Sequence, residues 1–217
     1  MLNVRMLPLG PLQTNCFLAG CEETNEAAVI DPSWDAQEIL SALDALQWKI
    51  THILLTHSHF DHVGALAGLK AATDVPVYAH AEAVPMLQVA SDSAARWGLE
   101  LVQPPAPDAF LEEGQVLAVG KLNFEVLYTP GHAPGHVSFH VRAHQVLFDG
   151  DVLFQGSIGR TDLPGGDYQT LISVIRQKLL VLPDETRVYC GHGNPTTIGD
   201  ERRTNPFLQD QDGSHYA

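Results

Sequence analysis

The stretch "ILLTHSHFDH", residues 53–62, decides the reading of this chain. Ile53 to Thr56 close an apolar run of the kind that ends a buried strand, and three imidazoles and a carboxylate follow within six positions. Crowding such groups costs hydration unless something binds them in return. His57 and His59 are two residues apart, so an extended segment points both to the same side. Asp61 and His62 then enter a turn and a helix start and aim in another direction. One short segment can thus serve two adjacent cations. Imidazole nitrogen and carboxylate oxygen suit zinc, iron or manganese, and the lack of thiolates argues against a closed structural zinc site.

Upstream of this stretch, short alternating or apolar runs at 2–7, 15–20 and 27–30 are separated by Gly, Pro and Asn and read as antiparallel strands. Residues 35–46 carry Ile39, Leu40, Leu43 and Leu46 at helical spacing, with Ser33 or Asp35 as cap. A strand is predicted at 51–56, a helix from 62 to 72, a strand at 75–79 and a helix in 81–97. "QPPAPDAF" (103–110) reads as a connection between halves. Strands follow at 115–119, 121–128, 136–141 and 145–149, then a helix over 167–181 entered through Gly165-Gly166-Asp167, and a last strand at 187–190. Two groups of strands, each followed by helices, predict α/β layers with helices outside sheet.

Ionisable residues follow four of these strands: His57, His59, Asp61 and His62 after the first, then His132, Asp151 and His192. Loops held by a rigid sheet are where sites are built. A carboxylate such as Asp151 can bridge two ions, one oxygen to each.

Composition narrows the function classes. The 217 residues carry a formal net charge of −14, and no basic stripe of the kind nucleic-acid binders use is visible. No run of about 18 apolar residues exists to span a membrane. The N-terminal stretch lacks the apolar segment and cleavage site of a signal peptide, so a cytoplasmic location is expected. Cys16, Cys21 and Cys190 lack paired spacing and read as small buried apolar groups in a reducing compartment. "GSIG" (156–159) lacks the pattern of a serine nucleophile.

Together "HSHFDH", "GHAPGHV" (131–137), "GDVLF" (150–154) and "CGHG" (190–193), in that order, resemble the metallo-β-lactamase superfamily. "TPGHAPGHVSF", "GDVLFQGSIGRTDLPGGD" and "ERRTNPFL" resemble its glyoxalase II (hydroxyacylglutathione hydrolase) branch, in the short single-domain form. The resemblance implies an αββα sandwich of two mixed sheets with helices outside. It implies one metal held by His57, His59 and His132, a second held by Asp61, His62 and His192, and Asp151 between them. Asp61 and a metal-bound water held by Asp151 would be the catalytic elements, with zinc expected and iron or manganese as substitutes. Asp31 matches a position that orients a ligand histidine, although a turn Asp before Pro32 reads equally well locally. His52, His80, His136, His140, His144 and His215 are read as structural or surface residues, and Asp151 is preferred to Asp149 as ligand.

The implied reaction is hydrolysis of a small thioester, S-D-lactoylglutathione, by attack of metal-bound hydroxide. Residues 1–217 would form one hydrolase domain, because only 25 residues follow His192 and the helical C-terminal domain of longer members has no room there. Arg160 lies where the branch has a basic residue near the glutathione carboxylate. A solvated loop charge, or an ion pair with Asp162, accounts for it equally well. "GRTD" also resembles persulfide dioxygenases, which use one iron. A non-catalytic metal-binding protein on the same scaffold is the other alternative.

Overall fold

Side chains alternate across a strand, so a strand buried on both faces must send odd and even residues into different cores. The computed structural model, which describes residues 1–209, realises this rule throughout. In Thr14–Cys21 (β2), Cys16 and Leu18 enter one core, whereas Phe17, Ala19 and Cys21 enter another. Glu26–Ile30 (β3) divides in the same way, Ala27 and Val29 against Ala28 and Ile30. With Leu2–Leu9 (β1), Lys49–Leu54 (β4), Val77–His80 (β5) and Ala109–Leu111 (β6), they form a sheet in the order β1-β2-β3-β4-β5-β6. The first two pairings are antiparallel and the last three parallel.

The second sheet comprises Val116–Val119 (β7), Leu122–Tyr128 (β8), Val137–Val141 (β9), Val146–Gly150 (β10), Arg187–Cys190 (β13) and Thr196–Thr197 (β14), ordered β14-β13-β10-β9-β8-β7. Leu153–Phe154 (β11) and Ser157–Ile158 (β12) form a small hairpin beside it. Between the two sheets lies a core in which Phe148 packs against Phe17, Phe124 and Tyr189. Each fully buried phenylalanine contributes about 1.5–3 kcal/mol by leaving water.

Ala36–Leu46 (α1), Leu66–Thr73 (α2), Val84–Leu87 (α3) and Ala90–Arg96 (α4) cover the outer face of the first sheet through Ile39, Leu43, Leu66, Leu69 and Leu87. Tyr168–Val174 (α5) and Ile198–Thr204 (α6) cover the second through Leu171 and Ile198. The layer order is therefore helix, sheet, sheet, helix: the expected αββα sandwich. Among the described residues no helix is long and apolar enough to cross a membrane.

Several elements differ from the sequence reading, each for a local reason. The helix expected from 62 begins only at Leu66, and Phe60–His62 form a single 3-10 turn. The Ala65 N–H donates to the Pro32 carbonyl (2.9 Å), pinning this loop to the segment after β3. The helix expected in 81–97 breaks into the turn Ala81–Ala83, α3 and α4, with Pro85 opening α3 where a missing N–H costs nothing. The Pro-rich connection ends in β6, once the prolines are past. Ile175–Leu179 continue α5 as a π-turn. Asp35, not Ser33, caps α1 by accepting from Glu38 N, and Asp167 caps α5 by accepting from Thr170 N. β11, β12, β14 and α6 were not predicted. The Thr197 hydroxyl that accepts from Asp200 N is a capping signature that would have revealed α6. His215 lies outside the described residues.

Candidate metal centre

Strand direction explains why distant residues meet. β9 runs antiparallel to both β8 and β10, and β13 runs parallel to β10, so β8, β10 and β13 all point one way. The loops that follow them carry His132, Asp151 and His192, and all emerge at one edge of the second sheet. In the first sheet β3 and β4 are parallel and deliver Asp31 and the 57–62 segment. The two edges are joined where Val137 N donates to the Thr56 carbonyl (2.8 Å).

All seven donors expected from the sequence are brought together. Nε2 of His57 and Nε2 of His132 lie 3.0 and 2.9 Å from Nδ1 of His59. Asp61, His62 and His192 form a second group, with Asp61 Oδ2 at 3.2 Å from His192 Nε2 and 3.6 Å from His62 Nε2. Asp151 stands between the groups. Its Oδ1 is 3.4 Å from His62 Nε2, and its Oδ2 is 3.5 Å from His132 Nε2 and 3.6 Å from His192 Nε2. Two glycines permit this approach. A Cβ on Gly191 would stand 2.2 Å from Asp151 Oδ1, and Gly150 adopts φ +55° with Thr56 Oγ1 2.5 Å from where its Cβ would lie.

Hydrogen bonds behind the rings fix their tautomers. Asp31 Oδ1 accepts from Thr56 N (2.7 Å), and its Oδ2 accepts from Thr56 Oγ1 (2.6 Å) and His62 Nδ1 (2.9 Å). The Thr56 hydroxyl proton is thereby committed, so Thr56 Oγ1 accepts from His57 Nδ1 (3.0 Å). His132 Nδ1 donates to the Arg160 carbonyl (2.8 Å). Each arrangement engages Nδ1 away from the centre and leaves Nε2 facing it. Asp31 also lies within reach of His57 and His62 as a third donor group. Its Oδ2 already accepts two protons, so it holds the rings and is not itself aimed at the centre. Its φ of +49°, a turn conformation Asp tolerates, directs the carboxylate at them.

These residues fit a divalent cation. Donor atoms crowd one another at about hydrogen-bond range, and His62 Nε2 and Asp151 Oδ1 are buried without a hydrogen-bond partner. The donors, nitrogen and oxygen without sulfur, are those of zinc, iron or manganese. Electrostatics divide the two groups. Burial, reinforced by neighbouring imidazoles, holds His57 well below the ordinary histidine pKa. Burial and His132 push His59 down to about 4. Burial also opposes the charged forms of His62 and His192, but the Asp61 and Asp151 carboxylates outweigh it and raise both. Asp61 stays ionised despite burial, pulled down to about 2 by His62.

The remaining expectations sort as follows. Arg160 lines a cleft of about 550 Å³ together with His132, Asp151, Phe154, Ser157 and His192. Its Nε and Nη2 donate to the two oxygens of Asp162, both at 2.7 Å, so the ion pair is present. Asp149 is buried away from the donors, accepts from Leu153 N (2.9 Å) and is driven towards the neutral form by that burial. Cys190 is buried and donates to the His192 and Asn194 carbonyls (both 3.2 Å), with its thiol pushed up by burial, which makes it unreactive. His136, read from the sequence as structural or surface, is buried within the centre. Its ring stacks on His57 (centroids 5.0 Å apart), its Nδ1 meets Thr129 Oγ1 (2.9 Å) and its Nε2 accepts from Asp151 N (3.2 Å). Thr14, Asn15, Thr56 and the Arg160 carbonyl escaped the sequence reading.

The model of the metallo-β-lactamase superfamily matches residues 9–192. The hydroxyacylglutathione hydrolase GloC of Haemophilus influenzae is 44% identical over 209 residues, spanning 95% of this chain and 98% of that relative. The crystal structure of the B3 metallo-β-lactamase BLEG-1 has a TM-score of 0.90 at 42% identity, covering 95% of this chain and 100% of that one. TTHA1623, crystallised in a di-iron-bound form, has a TM-score of 0.87 at 46% identity, covering 94% of this chain and 100% of the other. The motifs, the layer order and these likenesses agree along most of the sequence, and the chain belongs to the metallo-β-lactamase superfamily.

Proposed function

We propose that this protein is a binuclear metallohydrolase that cleaves small thioesters, with S-D-lactoylglutathione as the representative substrate. The observation that carries the reading is the position of Asp151, with one oxygen facing His62 and the other facing both His132 and His192. A carboxylate so placed joins two donor groups into one site. His57, His59 and His132 would hold one cation, and Asp61, His62 and His192 the other. Two such ions supply a water of lowered pKa and polarise a carbonyl.

The chain's own residues do the rest. Asp31 and Thr56 engage the Nδ1 atoms of His62 and His57 and so aim their Nε2 atoms at the centre. The cleft beside Asp151 has a volume within the usual range for small-molecule sites, about 300–1,000 Å³. Arg160 at its wall supplies a guanidinium for a carboxylate on the thiol portion, in exchange with Asp162. The likeness to GloC supports a glutathione thioester, and zinc is the expected metal, with iron or manganese as substitutes.

The test is element analysis of the purified protein paired with three assays: S-D-lactoylglutathione cleavage, oxygen uptake with glutathione persulfide, and β-lactam hydrolysis. Two transition metals per chain with thioester cleavage is the expected result. A single iron with persulfide-dependent oxygen uptake, or turnover confined to the β-lactam, would overturn the proposal.

A further inference from the structure

The start of β2 reaches the centre from the far end of the sequence, and its contacts fall on one donor group. Thr14 is 1% exposed, and its hydroxyl donates to Asp61 Oδ2 (2.8 Å). That is the same oxygen that faces His192 Nε2 at 3.2 Å and His62 Nε2 at 3.6 Å. Thr14 also forms an isolated antiparallel bridge with His192. Asn15, 2% exposed, donates its backbone N–H to the Gly191 carbonyl (2.7 Å) and its Nδ2 to the carbonyls of Cys190 (2.9 Å) and Gly193 (3.0 Å). The carbonyl of Thr14 is in turn held by the Ser33 hydroxyl (3.0 Å). One end of this pair fixes the Asp61 donor oxygen and the other fixes the loop that carries His192.

We propose that Thr14 and Asn15 are positioning residues for the second cation, and that they set its affinity independently of the first. The inference rests on the binuclear reading above. A carboxylate free to rotate presents its oxygen to a cation only part of the time. The Thr14 proton holds Oδ2 where the two rings converge. The first group (His57, His59, His132) is oriented through Thr56 and the Arg160 carbonyl instead, so disturbing Thr14 leaves its supports in place.

The experiment uses the full chain, stripped of metal and titrated with Zn2+ against a competing chelator, so that two dissociation constants are read without any activity assay. Wild type should give two constants. Thr14→Val, which keeps the shape and removes the hydroxyl, should weaken the second by about 10–100-fold, the usual effect of losing a partner behind a metal ligand, and leave the first within about twofold. Thr14→Ser should restore the second constant. If Thr14→Val does not fold, Asn15→Ala must weaken the second constant alone while Thr14→Ser keeps both. An unchanged second constant in Thr14→Val, or equal weakening of both, overturns this inference and leaves the binuclear reading standing. Wild type binding one Zn2+ overturns the binuclear reading and this inference with it.

Discussion

Replacing Asp31 separates what holds the fold from what holds the metal. Its carboxylate is 1% exposed and accepts three hydrogen bonds, from Thr56 N, Thr56 Oγ1 and His62 Nδ1, at 2.6–2.9 Å. Asp31→Ala strands three buried donors, each costing about 1–3 kcal/mol, and such losses are less than additive. A total of about 4 kcal/mol matches what breaking a buried charged pair typically costs. At roughly 2–4 °C per kcal/mol for a domain of this size, Tm of the metal-free protein should fall by about 8–16 °C. Asp31→Asn makes the sharper test. An amide oxygen in the place of Oδ1 still accepts from Thr56 N, but an NH2 now occupies the place of Oδ2. His62 Nδ1 can no longer donate there, so the neutral ring, the form that binds a cation, carries its proton on Nε2, the atom facing Asp61 and Asp151. Thr56 Oγ1 accepts from the amide and turns its own proton towards His57 Nδ1, which moves the His57 proton to Nε2 as well. Exchanging one oxygen for nitrogen therefore puts N–H groups where both cations need lone pairs. Asp31→Asn should lose only about 1–2 kcal/mol of metal-free stability, one net hydrogen bond, yet retain less than about a tenth of the wild-type metal after dialysis against a chelator. Thermal unfolding of the metal-free proteins and element analysis of the dialysed ones read the two effects separately. Asp31→Asn retaining both metals at wild-type affinity would refute the tautomer argument.

Other expectations follow from the same geometry. Asp151→Ala should lose metal and thioester cleavage together, by element analysis and single-substrate kinetics, because both groups share that carboxylate; full activity in the variant would remove its bridging role. Acidification should release the second cation before the first. Ligating imidazoles must be neutral, and His62 and His192, with raised pKa, take up protons at a pH where His57 and His59, with lowered pKa, remain neutral. Metal content followed from pH 8 to pH 4 should therefore fall in two steps, and a single step would contradict the division. Arg160→Gln should raise KM for S-D-lactoylglutathione by about three- to tenfold with little change in kcat, since an exposed guanidinium contributes modestly to binding a carboxylate. Equal effects on a thioester of an uncharged thiol would show that Arg160 does not read the carboxylate.

The donors were legible in the sequence because they break its local grammar. A strand that runs from Ile53 into "HSHFDH" offers no packing reason for four ionisable side chains, and the same holds for His132, Asp151 and His192 beyond their strands. Their supports were hidden because they are ordinary residues with remote partners. Thr14 is 47 positions from Asp61, and Asn15 is 175 from Cys190. A threonine or asparagine at the start of a strand carries no mark of such a partner, and the Arg160 carbonyl that orients His132 is common to every residue type. His136 shows a related limit: two histidines four apart in one loop look alike until the fold turns one to the centre and the other onto the Asp151 backbone.

Fold legibility has a similar boundary. The alternation that divides β2 and β3 between two cores is written in the residues, and so are the helices that cover them. Local pattern does not supply direction. Four strands with polar residues at their ends make a site only if those ends lie on one side, and a sheet of simple hairpins would scatter them to alternate edges. Here β8 reaches β10 through two reversals by way of β9, and two reversals restore direction. From β10 the chain passes through α5 before it returns as β13, a crossover long enough for parallel pairing. One intervening strand, and then a crossover through the β11–β12 hairpin and α5, thus place His132, Asp151 and His192 on a common edge. A sequence with the same seven donors but one strand fewer between 128 and 146 would fold its ligands apart.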